Sequence, residues 1–321
     1  MIVEKINDYL SKKALTLDEA IRYEVEKLAG VAFKRQFMAS EEKDSKGKIW
    51  FSSVGRCARQ VAYQFHGFEK KGKEIDGRAR MIFWTGDLTE LTLVTLAKLA
   101  GVNIIAYGLN QVRVELPLNG GSISGRPDGL IVWEKEILLL EVKSMSSYGY
   151  AKFERGEIDE AYLVQANIGM ESLGLRRCVF IAYDKDSGVM SELVIEKSDE
   201  ILNKARQNVL QVLHSTPEKL PPEPAEYGPD KNGLYTWNCL YCSYWKHCRP
   251  NAEKVLVKNA YKLKEKQNGL RATDEGSSSG HSEMGSGVRE VPTACGEPGR
   301  SKKNSSLRGN AEVLGSAAVE G

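Results

Sequence analysis

The clearest chemistry in the chain is carried by two carboxylates and a lysine, Asp128, Glu141 and Lys143, within the stretch GRPDGLIVWEKEILLLEVKS from Gly125 to Ser144. Residues from Ser122 to Trp133 have strand character, Glu134-Lys135-Glu136 is a polar turn, and Ile137 to Val142 is an apolar run rich in β-formers, so the stretch reads as a hairpin. Alternation along a strand sets Glu141 and Lys143 on one face and Val142 toward the core. Pro127 stiffens the approach to Asp128, and Gly129 permits a tight turn beside it. Across the hairpin Asp128 reaches the end of the second strand, where two carboxylates, an ammonium and the Val142 carbonyl converge. Oxygen donors of this kind suit Mg²⁺ or Mn²⁺. The lysine can orient a water or stabilise charge that develops on a phosphate. An isolated E-x-K is common and usually no more than alternating surface charge; here it closes an apolar strand at hairpin distance from a P-D-G.

Other elements must hold this stretch in place. Residues 76–100 read as a long helix, or as two joined near Gly86, with Met81, Trp84, Leu88, Leu91 and Thr95 on one stripe. Glu90 lies beside that stripe, either as a surface charge or as a further metal ligand. Residues 103–118 alternate as one or two strands, and Asn119-Gly120-Gly121 is a turn into the hairpin. Ile158 to Leu173 is helical and contains Gln165. Arg177–Asp184 and Met190–Glu196 read as strands, and Ser198 caps a helix to about His214. Upstream, residues 2–37 read as two helices with a Thr16/Glu19 capping box, 40–48 as a loop, and Ser53–Tyr63 as a helix with Cys57 in its first turns. Strands flanked by helices on this scale give an α/β core with a mixed sheet.

A second group of residues points to a different metal. Cys239, Cys242 and Cys248 follow C-x2-C-x5-C, a spacing suited to metal ligation by thiolates. The fourth ligand falls to Cys57, because Cys178 opens a core strand and Cys295 lies in the tail. Four thiolates suit a 4Fe-4S cluster or Zn²⁺, and three with His247 would also suit Zn²⁺. Tyr235, Trp237, Tyr241, Tyr244 and Trp245 either shield such a site from water or are ordinary core aromatics.

The 321 residues are 41% hydrophobic and 27% charged, as in a globular protein that needs no membrane. No apolar run approaches the length of a membrane span, and MIVEKINDYLSKK lacks the apolar core of a signal peptide, so a cytoplasmic location is expected. A net charge of +2 excludes a uniformly basic coat; any nucleic-acid surface must be a local patch. The proline-rich segment 216–232 reads as a connector, and from about Lys266 the Gly/Ser-rich chain is expected to be disordered. The expected organisation is a helical segment over 1–50, a catalytic domain over 51–251 and a tail over 252–321.

Pro127-Asp128 with Glu141-Val142-Lys143 resembles the PD-(D/E)XK nuclease superfamily. Together with Cys57 and the cysteine triplet, the pattern from about Ser52 to Asn251 resembles its RecB-like iron-sulfur branch, which includes the AddB-type and CRISPR-associated RecB-like exonucleases. The resemblance implies a restriction-endonuclease-like core whose N- and C-terminal segments are joined by a four-cysteine 4Fe-4S cluster, with Zn²⁺ as the alternative. It implies Mg²⁺ or Mn²⁺ on Asp128, Glu141, the Val142 carbonyl and an acidic residue of the preceding helix, Glu90 or failing that Asp87. It also implies a catalytic Gln165, although the branch carries a Tyr four residues on where this chain has Gly169. The implied activity is exonucleolytic cleavage of single-stranded DNA in recombination, repair, phage DNA metabolism or CRISPR adaptation, beside a helicase or adaptation protein, with homo-oligomerisation open. Two other classes remain: a non-catalytic DNA-binding or assembly module on the same fold, and a zinc-stapled structural protein.

Overall fold

The computed structural model describes residues 1–12, 19–38, 46–72, 76–257 and 260–266. An amphipathic α1 (Ile2–Leu10) and a longer α2 (Glu19–Phe37) open the chain, followed by a short strand β1 (Ile49–Trp50) and helices α3 (Phe51–Val54), α4 (Ala58–Phe65) and α5 (Gly77–Leu99). Then come β2 (Asn103–Ile105), β3 (Val114–Leu118), β4 (Gly121–Gly125), β5 (Gly129–Trp133) and β6 (Glu136–Met145). Helices α6 (Ser147–Glu154) and α7 (Glu160–Leu173) lead to β7 (Arg177–Asp184), β8 (Met190–Glu196) and α8 (Asp199–Leu213). The described chain closes with α9 (Trp237–Leu240), α10 (Trp245–Cys248), β9 (Ala252–Val257) and β10 (Ala260–Glu265).

The mixed α/β architecture expected from the pattern is present. Its central sheet runs β2-β5-β6-β7-β8, antiparallel except for the parallel pair β6 and β7, whose crossover is made by α6 and α7. Alternating residues of β6 and β7 feed two cores. Leu140, Val142, Val179 and Ile181 meet α1 and the second half of α5 through Leu93, Val94 and Ala97. Leu139, Phe180 and Ala182 meet α6 and α7 through Tyr150, Phe153, Ala166 and Met170. Burial on both faces explains why LLLEV reads as an unbroken apolar run rather than an alternating one. On one edge, the Glu192 carboxylate of β8 accepts from the Ile2 N–H at 2.8 Å and the Val3 N–H at 3.2 Å, capping α1. A smaller sheet, β1-β4-β3, packs with α3, α4 and α8 around Ile123, Phe51 and Val209.

Four expectations change. Ser122–Trp133 is two strands in two sheets: β4 pairs with β3 and β1, and β5 pairs with β6. A Cβ on Gly125 would collide with the Phe51 ring, and Pro127 has no N–H to continue a ladder, so the chain crosses from one sheet to the other here. Residues 77–99 form one helix, N-capped by Asp76, which accepts from the Ala79 N–H at 2.7 Å. Its buried positions are Ala79, Thr89, Leu93, Val94 and Ala97 rather than the expected stripe, because the second half packs on the sheet through Leu93, Val94 and Ala97, while α2 covers the helix only partly, from Trp84 to Lys98. The Ser53–Tyr63 helix is interrupted at Gly55, where a Cβ would collide with the Ala161 backbone of α7. Cys57 therefore occupies the N-cap of α4 instead of its first turns. Finally, residues 252–257 and 260–265, assigned to the tail, pair as the antiparallel strands β9 and β10. Leu263 is fully buried there beside Tyr235 and Trp245.

Every described residue belongs to one folded unit, Met1–Asn268. The Thr16 half of the expected capping box and the expected disordered tail lie outside the described residues. Among the described residues no helix is long and apolar enough to cross a membrane.

Candidate functional site

The β5/β6 ladder ends at Gly129↔Leu140, and beyond it β6 continues alone beside β7. That leaves the Val142 N–H without a strand partner on the β5 side, and the Asp128 carboxylate takes it at 2.7 Å. A residue in a strand directs its N–H and C=O to the same edge, so the Val142 carbonyl faces the Asp128 side as well. Lys143 Nζ donates to Glu141 Oε2 at 2.6 Å and lies 3.8 Å from Asp128 Oδ2. From α7, Gln165 Nε2 donates to the same Glu141 oxygen at 3.0 Å. The expected convergence of Asp128, Glu141, Lys143 and Gln165 is thus present.

The environment is dry. Glu141 is 1% exposed and Lys143 13%. Burial pushes Glu141 up to about 7, Lys143 opposing it and Asp128 reinforcing it. Burial also disfavours the Lys143 ammonium, but the Glu141 and Asp128 charges outweigh that and hold it above the usual lysine range. Burial, then the charge of Asp128, push Glu90 up to about 8, with Arg35 and Lys143 acting the other way. Glu90 therefore shares one electrostatic cluster with Asp128 and Lys143, although it arrives on α5 from the opposite face of the sheet to α7. The gap beyond β5 is what allows carboxylates from both faces to approach one another. Asp87, the fallback, is engaged elsewhere: Arg35 holds it at 2.7 Å and Gln36 donates to it at 2.8 Å, tying α2 to α5.

Two residues that sequence reasoning missed complete the surroundings. Gln111 Nε2 donates to Glu90 Oε1 at 3.0 Å, anchoring it from the β2–β3 connection. Tyr162, one turn before Gln165 on α7, places its ring 5.2 Å from Lys143 Nζ. The i, i+3 relation of Tyr162 to Gln165 was the only signal that could have found it. Gly169, where the resemblance calls for Tyr, packs tightly: a Cβ there would stand 3.0 Å from Leu139 Cδ2 and 3.7 Å from Phe51 Cε2.

The cysteine segment is joined to α4 and the residues after it. Tyr63 stacks on Tyr244 at 5.6 Å, the Gly72 N–H donates to Ser243 O at 2.6 Å, and His247 Nε2 sits 2.8 Å from Glu69 O. That contact commits Nε2 of His247 to a backbone oxygen and leaves Nδ1 as the nitrogen that could meet a metal. Cys57, Cys239, Cys242 and Cys248 are half-buried free thiols in mutual electrostatic range. Burial pushes Cys242 up to about 12, and burial also raises Cys239 and Cys248. The Tyr244 N–H donates to Cys242 Sγ at 3.4 Å. Around them Arg59 Nε, Arg249 Nε and Trp245 Nε1 are buried donors without an acceptor. Buried donors around four thiols fit an anionic thiolate-ligated group, which would remove the thiol protons and give those donors an acceptor. Of the aromatics expected as a shield, Tyr235, Tyr244 and Trp245 are buried, whereas Trp237 and Tyr241 are exposed.

Among the described residues, no three His, Cys, Asp or Glu side chains meet closely enough to hold an ion as they stand, at either place. The donor chemistry nonetheless suits two kinds of ion: hard oxygens at Asp128, Glu141 and Glu90 suit Mg²⁺ or Mn²⁺, and soft sulfurs at the cysteines suit iron or zinc.

No family model matches the chain, and no curated protein does. Among solved structures, the protein designated SSO0001 is similar at 18% identity and a TM-score of 0.41, over 68% of this chain and 93% of that one. An alkaline exonuclease (LHK-Exo) from Laribacter hongkongensis is similar at 20% identity and a TM-score of 0.37, over 52% and 89%. A phage-related exonuclease from Haemophilus somnus 129PT is similar at 15% and 0.33, over 52% and 92%. These similarities are loose, and the functional reading rests on this chain's own residues.

Proposed function

We propose that the chain is a divalent-metal-dependent deoxyribonuclease of the PD-(D/E)XK type, acting on single-stranded DNA as an exonuclease. The observation that carries the reading is the dry Asp128–Glu141–Lys143 constellation, in which one lysine serves two carboxylates and Gln165 fixes the nearer one. A merely structural ion pair of this kind gains little over apolar residues of similar size, so its burial at an open strand end calls for a functional reason.

Asp128, Glu141, Glu90 and the Val142 carbonyl would hold Mg²⁺ or Mn²⁺, which supplies Lewis acidity and a water of lowered pKa. Lys143 orients that water and offsets negative charge developing on the scissile phosphate. Gln165 holds the Glu141 carboxylate in one orientation. Asp128, by accepting from Val142, is fixed to the same strand as the groups it works with. Cys57, Cys239, Cys242 and Cys248 would hold a 4Fe-4S cluster, with Zn²⁺ the alternative, in a structural role that binds α4 to the cysteine segment. Four free thiols suit a reducing, cytoplasmic setting. By resemblance that setting is recombination, repair, phage DNA metabolism or CRISPR adaptation.

The test is degradation of end-labelled single-stranded DNA with Mn²⁺ by anaerobically purified protein and its Lys143→Ala variant. Activity lost in a variant that stays folded and keeps its iron supports the reading. Equal activity in both would sink the site, and a folded, metal-loaded wild type with no activity would favour the binding module.

A further inference from the structure

The first half of α5 and the facing side of α2 carry apolar surface that no core uses. Among the described residues of α2 only Ala32 is buried, while Phe33 is 50% and Phe37 37% exposed. On α5, Ile82 and Phe83 are each 48% exposed. The aromatics are nevertheless ordered against one another: Phe33 and Phe37 lie 5.0 Å apart, and each meets Trp84 edge-on, at 5.7 and 5.8 Å. Cations interleave with them. Lys34, Arg78 and Arg80 are exposed, Arg80 being steadied by a 2.7 Å bond from its Nη1 to Gln36 O.

Along the axis of α5 the ridge precedes the carboxylates, with Glu90 about 120° around the helix from Trp84. Arg35 and Gln36 bind Asp87, one turn before Glu90. From Trp84 to Glu90 the helix rises ~9 Å. That is roughly two or three stacked nucleotides at ~3.4 Å each. A protein-binding surface tends to lose charge at its centre. Aromatic faces mixed with Lys and Arg are instead what sequence-tolerant binding of unpaired nucleotides uses, the rings stacking on bases and the cations meeting phosphates.

We infer that the α2–α5 ridge is the single-strand subsite: Phe33, Phe37 and Trp84 stack on unpaired bases while Lys34, Arg78 and Arg80 meet their phosphates, feeding the strand to the carboxylate site. This rests on the nuclease reading above and goes beyond it by assigning residues to substrate choice.

The experiment uses the full chain with two probes: a fluorescein-labelled oligodeoxythymidine, and bis(p-nitrophenyl) phosphate, which is too small to span the ridge. In Phe33→Ala/Phe37→Ala, and in Phe33→Leu/Phe37→Leu, which keeps apolar bulk, Kd and KM for the oligonucleotide should rise about tenfold or more, as the loss of base stacking predicts. In both variants kcat and ester hydrolysis with Mn²⁺ should stay unchanged. Phe33→Trp/Phe37→Tyr should bind like wild type. Leucine variants with wild-type affinity would overturn the proposal, as would loss of ester hydrolysis alongside oligonucleotide binding. So would a wild-type dimer dispersed by the alanine variant without change in Kd, which would assign the ridge to a second copy. A wild type that hydrolyses the ester but has no affinity for the oligonucleotide overturns this proposal alone; one inactive on both probes overturns the nuclease reading too.

Discussion

The carboxylate site and the cysteine site are completed to different degrees by the polypeptide itself. At the first, each group already has a protein partner: Lys143 and Gln165 on Glu141, the Val142 N–H on Asp128, Gln111 on Glu90. At the second, three buried donors have no acceptor, and half-buried thiols lie within electrostatic range of one another. The first stands on the central sheet, with Asp128, Glu141 and Lys143 close in sequence. The second joins Cys57 to a segment some 180 residues later on helices of four residues each. Helices that short do not hold themselves. The contrast teaches that the carboxylate site is ordered by its own hydrogen bonds, whereas on the proposed reading the cysteine site would take its order from the metal it holds.

If so, damage at the two places should appear in different observables. The largest effect is expected for Cys242→Ala. Ligation of a structural metal contributes on the order of 10 kcal/mol in small metal domains. Loss of iron and of the visible absorbance, a lowered Tm and proteolysis near residues 237–250 should precede any change in chemistry. A variant that keeps its iron and its Tm would break the comparison from this side.

Next is Lys143→Ala, whose effect should fall on rate. Removing one preorganised stabilising group from a dry site typically lowers turnover by about 10²–10³. Cleavage of single-stranded DNA should drop by that order while iron content remains at the wild-type level. An iron-free Lys143→Ala protein would show that the two places are coupled rather than separate.

A smaller effect concerns protons and metal together. Glu90, pushed up to about 8, and Glu141, pushed up to about 7, bind protons more tightly folded than unfolded. Between an unfolded carboxylate near 4.5 and those folded values the native state holds more protons, so in chelator stability should fall as pH rises from about 5 to 8. A divalent ion competes with those protons, and its stabilising effect should grow over the same window. Thermal unfolding with Mn²⁺ and with chelator at about pH 5.5 and about pH 8 measures both; a Mn²⁺ shift no larger at the higher pH would remove the carboxylates as ligands. Glu90→Gln keeps the Gln111 contact and should raise Tm in chelator at the higher pH while losing part of the Mn²⁺ response.

How much of this was legible in the sequence follows from distance along the chain. Glu141 and Lys143 are two apart on a strand, and Asp128 is one hairpin away, so the period of two was enough. Gln165 came through resemblance, since a glutamine inside a helix carries no local signal. The split of Ser122–Trp133 was marked by Pro127, but the strands each half pairs with, and the Phe51 ring packed against Gly125, are set by residues distant in sequence. The β9/β10 pair was missed because AEKVLV and AYKLKE are charge-rich and bury little beyond Ala252 and Leu263, beside a tail of similar composition. Gln111 and Tyr162 are placed only by tertiary packing.

Tyr162 gives the finest test, and it bears on why Gly169 is not a tyrosine. On α7 a residue at 169 faces Leu139 and Phe51, with room for little more than a Cβ, so an aromatic ring there would displace the core. The ring near Lys143 comes instead from Tyr162, whose face is 5.2 Å from Lys143 Nζ. A cation over an aromatic face is worth roughly 0.5–2 kcal/mol depending on its desolvation. If the ring is what matters, Tyr162→Phe keeps it and should retain near-wild-type turnover. Tyr162→Leu keeps apolar volume without the quadrupole and should lose about two- to thirtyfold in kcat, the range those energies allow. A large loss in Tyr162→Phe would transfer the role to the hydroxyl, as a proton donor or a phosphate contact. Equal activity in both variants would mean that the ring only fills space and that Glu141, Asp128 and Gln165 suffice to position Lys143.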